Sequence, residues 1–529
     1  MPRLPTPRSA DPTPAPEGVQ GPDELSSAQC YPALLARDAR FDGLWFVGVS
    51  STGIYCRPVC RVKTPRRENC RFFASAAQAE SAGYRPCLRC RPETAPGTQL
   101  RWSVTDASRT LARQAATLMA EDPRQSVTVL ASRLGISSRH LQRIFEAEHG
   151  VTPLAYLHTR RLLLAKQLLM DSPLGMAEVA AAAGFGSQRR FNALFLQHYR
   201  LQPGSLRKSG EPPPSVTACG EPGLRLAYRP PLAVDALLAF LAARAVPGVE
   251  QVDVRERLIS RSLRLPHQGR TLAGRLVIRF QPERDTVLLS PCSSLWAAAG
   301  SLIPLVRRWL DLDAAPDAIH QHLSGLPALE PGLRLPGCLD RFELAVRAVL
   351  GQQVTVAAAR TLASRFVERF GEDLPPGHQT PEVRRLFPLP ECIAEAPIES
   401  IAELGIIRNR AQALITLAQR WPTLAYARLQ DGHLAGGQDL ALAELQDLPG
   451  IGPWTAQYML MRGWSAPDLF PPGDVVLRQQ LTAPGQAAPT PRALAERAQG
   501  FSPYRSYAVL QLWHHAAQRA AASAASRKT

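Results

Sequence analysis

Between residues 104 and 206 apolar side chains recur at i, i+3 and i+4, and Gly and Pro cut the pattern into helix-sized segments. The spacing predicts a helix over 126–134, a tight turn at Gly135-Ile-Ser and a second helix over Ser138–His149. Val129, Leu130, Leu134, Leu141, Ile144 and Phe145 form their inner face. The same pattern returns over 176–183, Gly184-Phe-Gly and 187–199, after a connecting helix near 153–170. Residues 224–312 read as mixed α and β, with a helical run over 234–245 and alternating strands around 251–264 and 272–289. From about 338 onward helices dominate, separated by Pro/Gly turns. Pro-rich residues 1–26 are expected to be a disordered tail, 209–223 (SGEPPPSVTACGEPG) a linker, and 516–529 a flexible tail. The folded units are then 27–95, 104–208, 224–325 and 326–515.

The chain has 529 residues, which at roughly 100–200 residues per domain agrees with several separate cores. No apolar run approaches the ~18 residues that span a bilayer, and the first residues lack the apolar stretch of a signal peptide. A soluble cytoplasmic protein with no membrane partner is expected. The net charge of +16 is unevenly placed. Residues 1–210 carry 28 basic and 16 acidic side chains, whereas 211–529 carry 33 and 29. Lys63, Lys166, Lys208 and Lys528 are the only lysines, so none stands between 209 and 527.

Six of the ten cysteines fall between Cys30 and Cys90. Cys56-Arg-Pro-Val-Cys60 and Cys87-Leu-Arg-Cys90 make two short pairs, and together they offer the four thiolates that a tetrahedral Zn²⁺ favours. One zinc ion per chain is expected; disulfide-closed loops are the alternative, disfavoured in a reducing compartment. Arg57, Arg61, Lys63, Arg66, Arg67 and Arg71 crowd around this site with Glu68 alone opposing them, which suggests a phosphate-facing surface. The segments STGIYCRPVC, RREN and GYRPCLRC resemble the methyl-accepting zinc domain of the Ada adaptive-response regulators, over about residues 29–92. The resemblance implies that Cys56 takes a methyl group irreversibly from a methylphosphotriester in DNA. Four thiolates on Zn²⁺ carry a net charge of −2, and methylating one leaves −1, so repulsion of phosphate falls and DNA affinity rises.

The two helix–turn–helix units place Arg139, His140, Gln142 and Arg143, then Gln188, Arg189, Arg190 and Asn192, where a recognition helix carries its outward residues. Two such units in tandem, ending in GFGSQRRFNALFLQHYRLQPGSLRKS, resemble the AraC-type DNA-binding domain. That resemblance implies transcriptional activation in the bacterial nucleoid, with RNA polymerase as a partner and a monomeric chain. The Pro-Cys-His-Arg site that Ada regulators use for O6-methylguanine is not in this sequence.

In the last unit, Leu448-Pro-Gly-Ile-Gly452-Pro-Trp-Thr-Ala456 places Gly450 and Gly452 where a hairpin brings backbone N–H groups to a phosphate, ahead of a helix N-terminus. Leu445, Leu448 and Ile451 are expected beneath it. Asp474 follows a Phe-Pro-Pro-Gly turn, where a lone carboxylate reads as a helix cap. Together with LRLPGCLDRFELAVRAVLGQQVTVAAA, YRSYAVLQLWHH and ALLAFLAARAVPGVE, these residues resemble the helix-hairpin-helix glycosylases of the 3-methyladenine DNA glycosylase II (AlkA) type, over about 224–515. The resemblance implies an α+β domain like the TATA-binding protein, then an all-α glycosylase domain, with Asp474 catalytic and Phe240, Trp454, Tyr458 and Trp513 lining the base pocket. Each aromatic taken alone reads better as core. Gln353 stands where the family carries an apolar wedge, and Val475 where it carries an aromatic. The missing lysines remove the Schiff-base nucleophile of lyase-type relatives, and the absence of cysteines after Cys392 removes an iron–sulfur cluster.

The sequence thus predicts a multidomain, mainly helical protein that binds double-stranded DNA, at promoter sites and at alkylated bases. It joins a methylphosphotriester-sensing regulator to a monofunctional alkylbase glycosylase. A regulator whose C-terminal half only binds DNA is the alternative.

Overall fold

A computed structural model describes residues 27–97, 107–208, 223–429 and 437–526, except 327, 472 and 483–486. The expected N-terminal tail and all but one residue of the expected linker lie outside the described residues.

Among the described residues, the cysteine-rich unit holds a four-stranded sheet in the order Cys70–Phe73, Phe46–Val49, Ile54–Cys56, Arg85–Pro86. The last pair is parallel, and that pairing builds the metal site. Ile54–Cys56 ends on one cysteine, while Arg85–Pro86 runs beside it into Cys87, whose N–H donates to the Tyr55 carbonyl at 3.0 Å.

The helix–turn–helix pair forms where the periodicity put it: Val127–Arg133 and Ser138–His149, then Met176–Ala182 and Gln188–Tyr199, joined by Pro153–Asp171. Short polar caps define most of the starts. Ser126, Ser137, Thr152 and Ser187 each accept a hydrogen bond from a backbone N–H in the first turn. The second turn requires glycine: Gly184 has φ +87°, and a Cβ there would lie 2.8 Å from the Pro123 carbonyl oxygen.

The α+β unit is an antiparallel five-stranded sheet in the order Leu224–Ala227, Thr286–Pro291, Arg270–Gln281, Leu258–His267, Glu250–Asp253. Its long central hairpin turns at Gln268-Gly269, both with positive φ, as a two-residue hairpin loop demands. The all-α unit gathers Arg341–Leu350, Val356–Phe370, Arg408–Arg420 and Pro453–Gly463 around buried Phe342, Val346, Phe366, Leu414 and Met459. Residues 516–526 of the expected tail continue the helix Arg505–Ser526, with 517–523 exposed. Their run of alanines, the strongest helix former, explains the extension.

The units do not hang apart. Leu168 of the connecting helix and Phe191 and Phe195 of the second helix–turn–helix share one apolar core with Leu226, Ile278 and Trp296 of the α+β unit. Polar clamps flank that core. Arg91 grips the Asp171 carboxylate through both terminal nitrogens at 2.7 and 2.6 Å, and Lys166 donates to Glu93 at 2.5 Å. Arg229 donates through every guanidinium nitrogen, to the carbonyls of Asp42, Asp313 and Gly97.

Glu80 sits in the contact between the cysteine-rich unit and the second helix–turn–helix, and accepts from Tyr55 at 3.0 Å, Thr159 at 2.8 Å and Tyr199 at 3.4 Å. Burial outweighs these bonds and raises its carboxyl to about 7. The folded chain therefore keeps a proton that the unfolded chain releases, so this part of the stability is present below the unfolded pKa and is lost as pH rises through 7. Between pH 6 and 8 the loss is about 1.4 kcal/mol. Urea unfolding of the zinc-loaded full chain at both pH values will show that much more pH sensitivity in the wild type than in Glu80→Gln.

Candidate functional site: a cysteine cluster and an aromatic pocket

Cys56 closes its strand, Cys60 follows in a turn held by its N–H to the Arg57 carbonyl at 3.2 Å, and Cys87 and Cys90 stand on the next loop. The four sulfur atoms lie within 4.8 Å of one another, and all four cysteines are free of disulfides. Tetrahedral Zn–S bonds of about 2.3 Å place sulfurs about 3.8 Å apart, so the cluster fits one zinc ion. Cys56, Cys60 and Cys87 are buried and Cys90 is the least enclosed.

The basic residues around the cluster divide. Arg61, Lys63, Arg66, Arg67 and Arg71 are exposed, as a phosphate-facing surface requires. Arg57 is not. It is 8% exposed, its guanidinium bound to the Asp42 carboxylate, to Thr94 Oγ1 at 2.7 Å and to the Cys90 carbonyl at 3.1 Å, while its backbone N–H reaches Cys90 Sγ at 3.4 Å. Its role is to support the cluster from beneath, and the correction follows from Asp42, which lies 15 residues upstream. On the recognition helices Arg139, Gln142, Arg143, Gln188, Arg189 and Arg190 are exposed; His140 and Asn192 are half-buried, and the Asn192 side-chain oxygen is turned inside.

In the last unit Gly450 has φ +82°, and Leu445, Leu448 and Ile451 are buried beneath the hairpin while Gly450 and Gly452 stay exposed. Pro453 opens the following helix. Trp454 and Tyr458 stand one turn apart on it and stack, with centroids 5.2 Å apart and planes 7° from parallel. Trp513, from the final helix, faces Tyr458 at 6.2 Å. Asp474 divides its carboxylate: Oδ1 accepts from the Leu477 N–H at 2.9 Å and caps a helix, while Oδ2 accepts from the Trp454 indole N–H at 2.9 Å. Phe240 reaches the same place from the α+β unit, but the Arg244 guanidinium lies 3.7 Å from its ring centroid and covers that face.

Four residues at this site were missed from sequence. Gln352 donates to the Gly450 carbonyl at 2.8 Å and to Thr455 Oγ1 at 3.1 Å, and Arg410 donates to the Gln352 carbonyl at 2.7 Å. Gln353, with φ +54°, is thereby held beside the hairpin. Arg462 donates to the Tyr458 hydroxyl at 3.0 Å. Burial pushes the Tyr458 hydroxyl up, but Arg462, Arg244 and Arg347 more than offset this and bring it below its ordinary value. Gln352 is the middle residue of the quoted GQQ and Arg244 lies within the quoted ALLAFLAARAVPGVE, yet nothing in a lone glutamine or arginine announces such a partner.

A helical unit with a capped carboxylate beside a hairpin, behind a four-thiolate unit and two recognition helices, defines a class: a zinc-dependent methyl-accepting regulator joined to a base-excision glycosylase. Known proteins agree domain by domain. The description "Metal binding domain of Ada" fits residues 29–93, "Helix-turn-helix domain" 130–209, "AlkA N-terminal domain" 223–340 and "HhH-GPD superfamily base excision DNA repair protein" 346–503. The "Probable bifunctional transcriptional activator/DNA repair enzyme AlkA" of Mycobacterium tuberculosis is 38% identical over 92% of this chain and 95% of its own. "DNA-3-methyladenine glycosylase 2" of Escherichia coli is 37% identical over 55% of this chain and 96% of its own. "Bifunctional transcriptional activator/DNA repair enzyme Ada" of the same organism is 39% identical over 25% of this chain and 35% of its own. The chain belongs to the family of bifunctional transcriptional activator/DNA repair enzymes of the AlkA type.

A methyl group at Gly450 would meet the Ala413 Cβ at 2.9 Å in a backbone conformation that only glycine adopts freely. Gly450→Ala should cost about 1–2 kcal/mol of stability and shift the hairpin. Fluorescence anisotropy with a duplex carrying an abasic-site analogue will then show binding weakened about tenfold.

Proposed function

We propose that this chain accepts methyl groups from DNA methylphosphotriesters on Cys56, activates transcription in response, and excises alkylated bases such as 3-methyladenine with Asp474. The observation that carries the excision reading is the divided Asp474 carboxylate, fixed by a helix N-terminus on one oxygen and an indole on the other, beside stacked aromatics and a hairpin.

The mechanism follows from charge. An N3- or N7-alkylated purine is already cationic, so it leaves with little acid assistance. An ionised Asp474 stabilises the oxocarbenium ion left on the sugar, or orients the water that captures it. With no lysine between 209 and 527 the reaction stops at hydrolysis of the glycosidic bond. The flipped base enters between Tyr458 and Trp513, and Gln353, held by Gln352 and Arg410, fills the gap it leaves.

In the sensor, zinc when bound keeps the cysteines as thiolates. The Cys56 sulfur attacks the methyl carbon, an S–C bond forms, the C–O bond of the triester breaks, and a phosphodiester anion leaves. The thioether is stable, so each chain reacts once. The exposed Arg61, Lys63, Arg66, Arg67 and Arg71 hold the DNA backbone, and the two recognition helices read a promoter. RNA polymerase is the partner that activation requires, and the chain acts as a monomer.

Purified protein on methylated duplex DNA tests the excision reading. Asp474→Asn keeps a good helix cap yet should lose at least about 100-fold in abasic-site formation. If the wild type forms none, or Asp474→Asn forms as many, only the regulator reading survives.

For the sensor, intact-protein mass spectrometry after incubation with methylated DNA should show one added methyl on the wild type and on Cys90→Ala, and none on Cys56→Ala, each with zinc verified. An unchanged mass shift in Cys56→Ala would reassign the acceptor.

A further inference from the structure

The turn between the helices Arg341–Leu350 and Val356–Phe370 holds Gln353 exposed and in the left-handed region, at φ +54°. A residue with a Cβ keeps that backbone only where its neighbours fix it. Gln352 is the neighbour that is fixed. Its backbone N–H donates to the Val349 carbonyl at 3.3 Å, and its backbone carbonyl accepts from Arg410 Nη2 at 2.7 Å. Its side-chain amide nitrogen has two hydrogens to give. One goes to the Gly450 carbonyl at 2.8 Å and the other to Thr455 Oγ1 at 3.1 Å. Gly450 belongs to the hairpin, and Thr455 lies in the first turn of the helix Pro453–Gly463, next to Trp454. One amide thus joins the Gln353 turn to the hairpin and to the helix that carries the stacked aromatics. The helix Arg408–Arg420 closes the figure. Arg410 reaches the turn, and Ala413, one helical turn further on, lies under Gly450, within 2.9 Å of where a Cβ would stand.

We propose that Gln352 is a positioning residue that couples the hairpin's grip on the DNA backbone to the entry of Gln353 into the base stack. Holding the phosphate and filling the gap are then done by one block. This rests on the glycosylase reading above and adds to it the link between binding and base extrusion. Extrusion costs unstacking and unpairing, and a flipped base returns to the duplex unless its place is filled. With the link intact, a hairpin seated on a phosphate sets Gln353 at a fixed place relative to the duplex. Without it the hairpin still holds DNA, but the turn that carries Gln353 loses its reference to the hairpin and the extruded base falls back. The cost of the coupling therefore falls on the chemical step and not on affinity.

The test uses the full zinc-loaded chain in excess over duplex DNA treated with a methylating agent, and reads single-turnover release of 3-methyladenine against protein concentration. Gln352→Met keeps the length of the side chain and removes both donors. It should lower the saturating rate about tenfold, the loss expected of the two hydrogen bonds, while the protein concentration at half that rate shifts by less than about twofold. Arg410→Met releases the Gln352 carbonyl from the other side and should show the same split, which gives a second reading if Gln352→Met fails to fold. Because Gln352 acts through Gln353, Gln353→Ala should slow release in the otherwise unaltered chain and add nothing in Gln352→Met. Wild-type saturating rates in Gln352→Met and Arg410→Met overturn the proposal, and so does a loss that appears only as weaker binding. Losses from Gln352→Met and Gln353→Ala that multiply overturn it too. Each of these leaves the glycosylase reading intact. A wild type that releases no base sinks that reading and this inference together.

Discussion

A guanidinium taken out of water must find acceptors for its donors, and this chain, which uses arginine almost to the exclusion of lysine, is assembled around that demand. The same solution recurs at each join. Arg57 ties the cysteine cluster to Asp42; Arg91 ties the cysteine-rich unit to the connecting helix at Asp171; Arg229 ties that unit to the α+β unit; Arg261 bridges Glu250 of the sheet and Glu343 of the helical unit. In Arg57, Arg91 and Arg229 every guanidinium nitrogen has an acceptor. Ion pairs this deep return little net stability over apolar packing, but breaking one strands a charge. Their value is geometric: an apolar interface tolerates sliding, whereas a forked guanidinium on fixed carbonyls does not.

That constraint changes the meaning of the net charge. The C-terminal half carries nearly as many acids as bases, and four of its arginines, Arg229, Arg261, Arg334 and Arg462, are buried. Phosphate attraction therefore belongs mostly to the first half, where five basic residues surround the cysteine cluster in the open. In the glycosylase half the exposed hairpin glycines Gly450 and Gly452 and the start of the following helix offer their backbone instead.

Legibility from sequence followed the reach of the interactions. The cysteine pairs, the two helix–turn–helix units and the hairpin are local patterns, set by neighbours three or four residues away, and they were readable. So was the inward packing of Leu445, Leu448 and Ile451. What escaped depends on partners far along the chain. Arg57 reads as one of six equivalent cations until Asp42 is beside it, and Gln352 reads as filler until the Gly450 carbonyl, 98 residues on, accepts from it. Phe240 was legible as an aromatic near the pocket, but not the arginine over its face. The helical end of the chain rests on local propensity, which its alanines carry.

Asp474 shows that capping a helix need not use up a carboxylate. A helix cap needs one carboxylate oxygen on a backbone N–H, and that bond also orients the group. The second oxygen remains, and the Trp454 indole draws it toward the stacked aromatics. Capping is thus the means by which a carboxylate that is 8% exposed is aimed. The structural bond comes first, and it leaves one carboxylate oxygen turned toward the stacked aromatics.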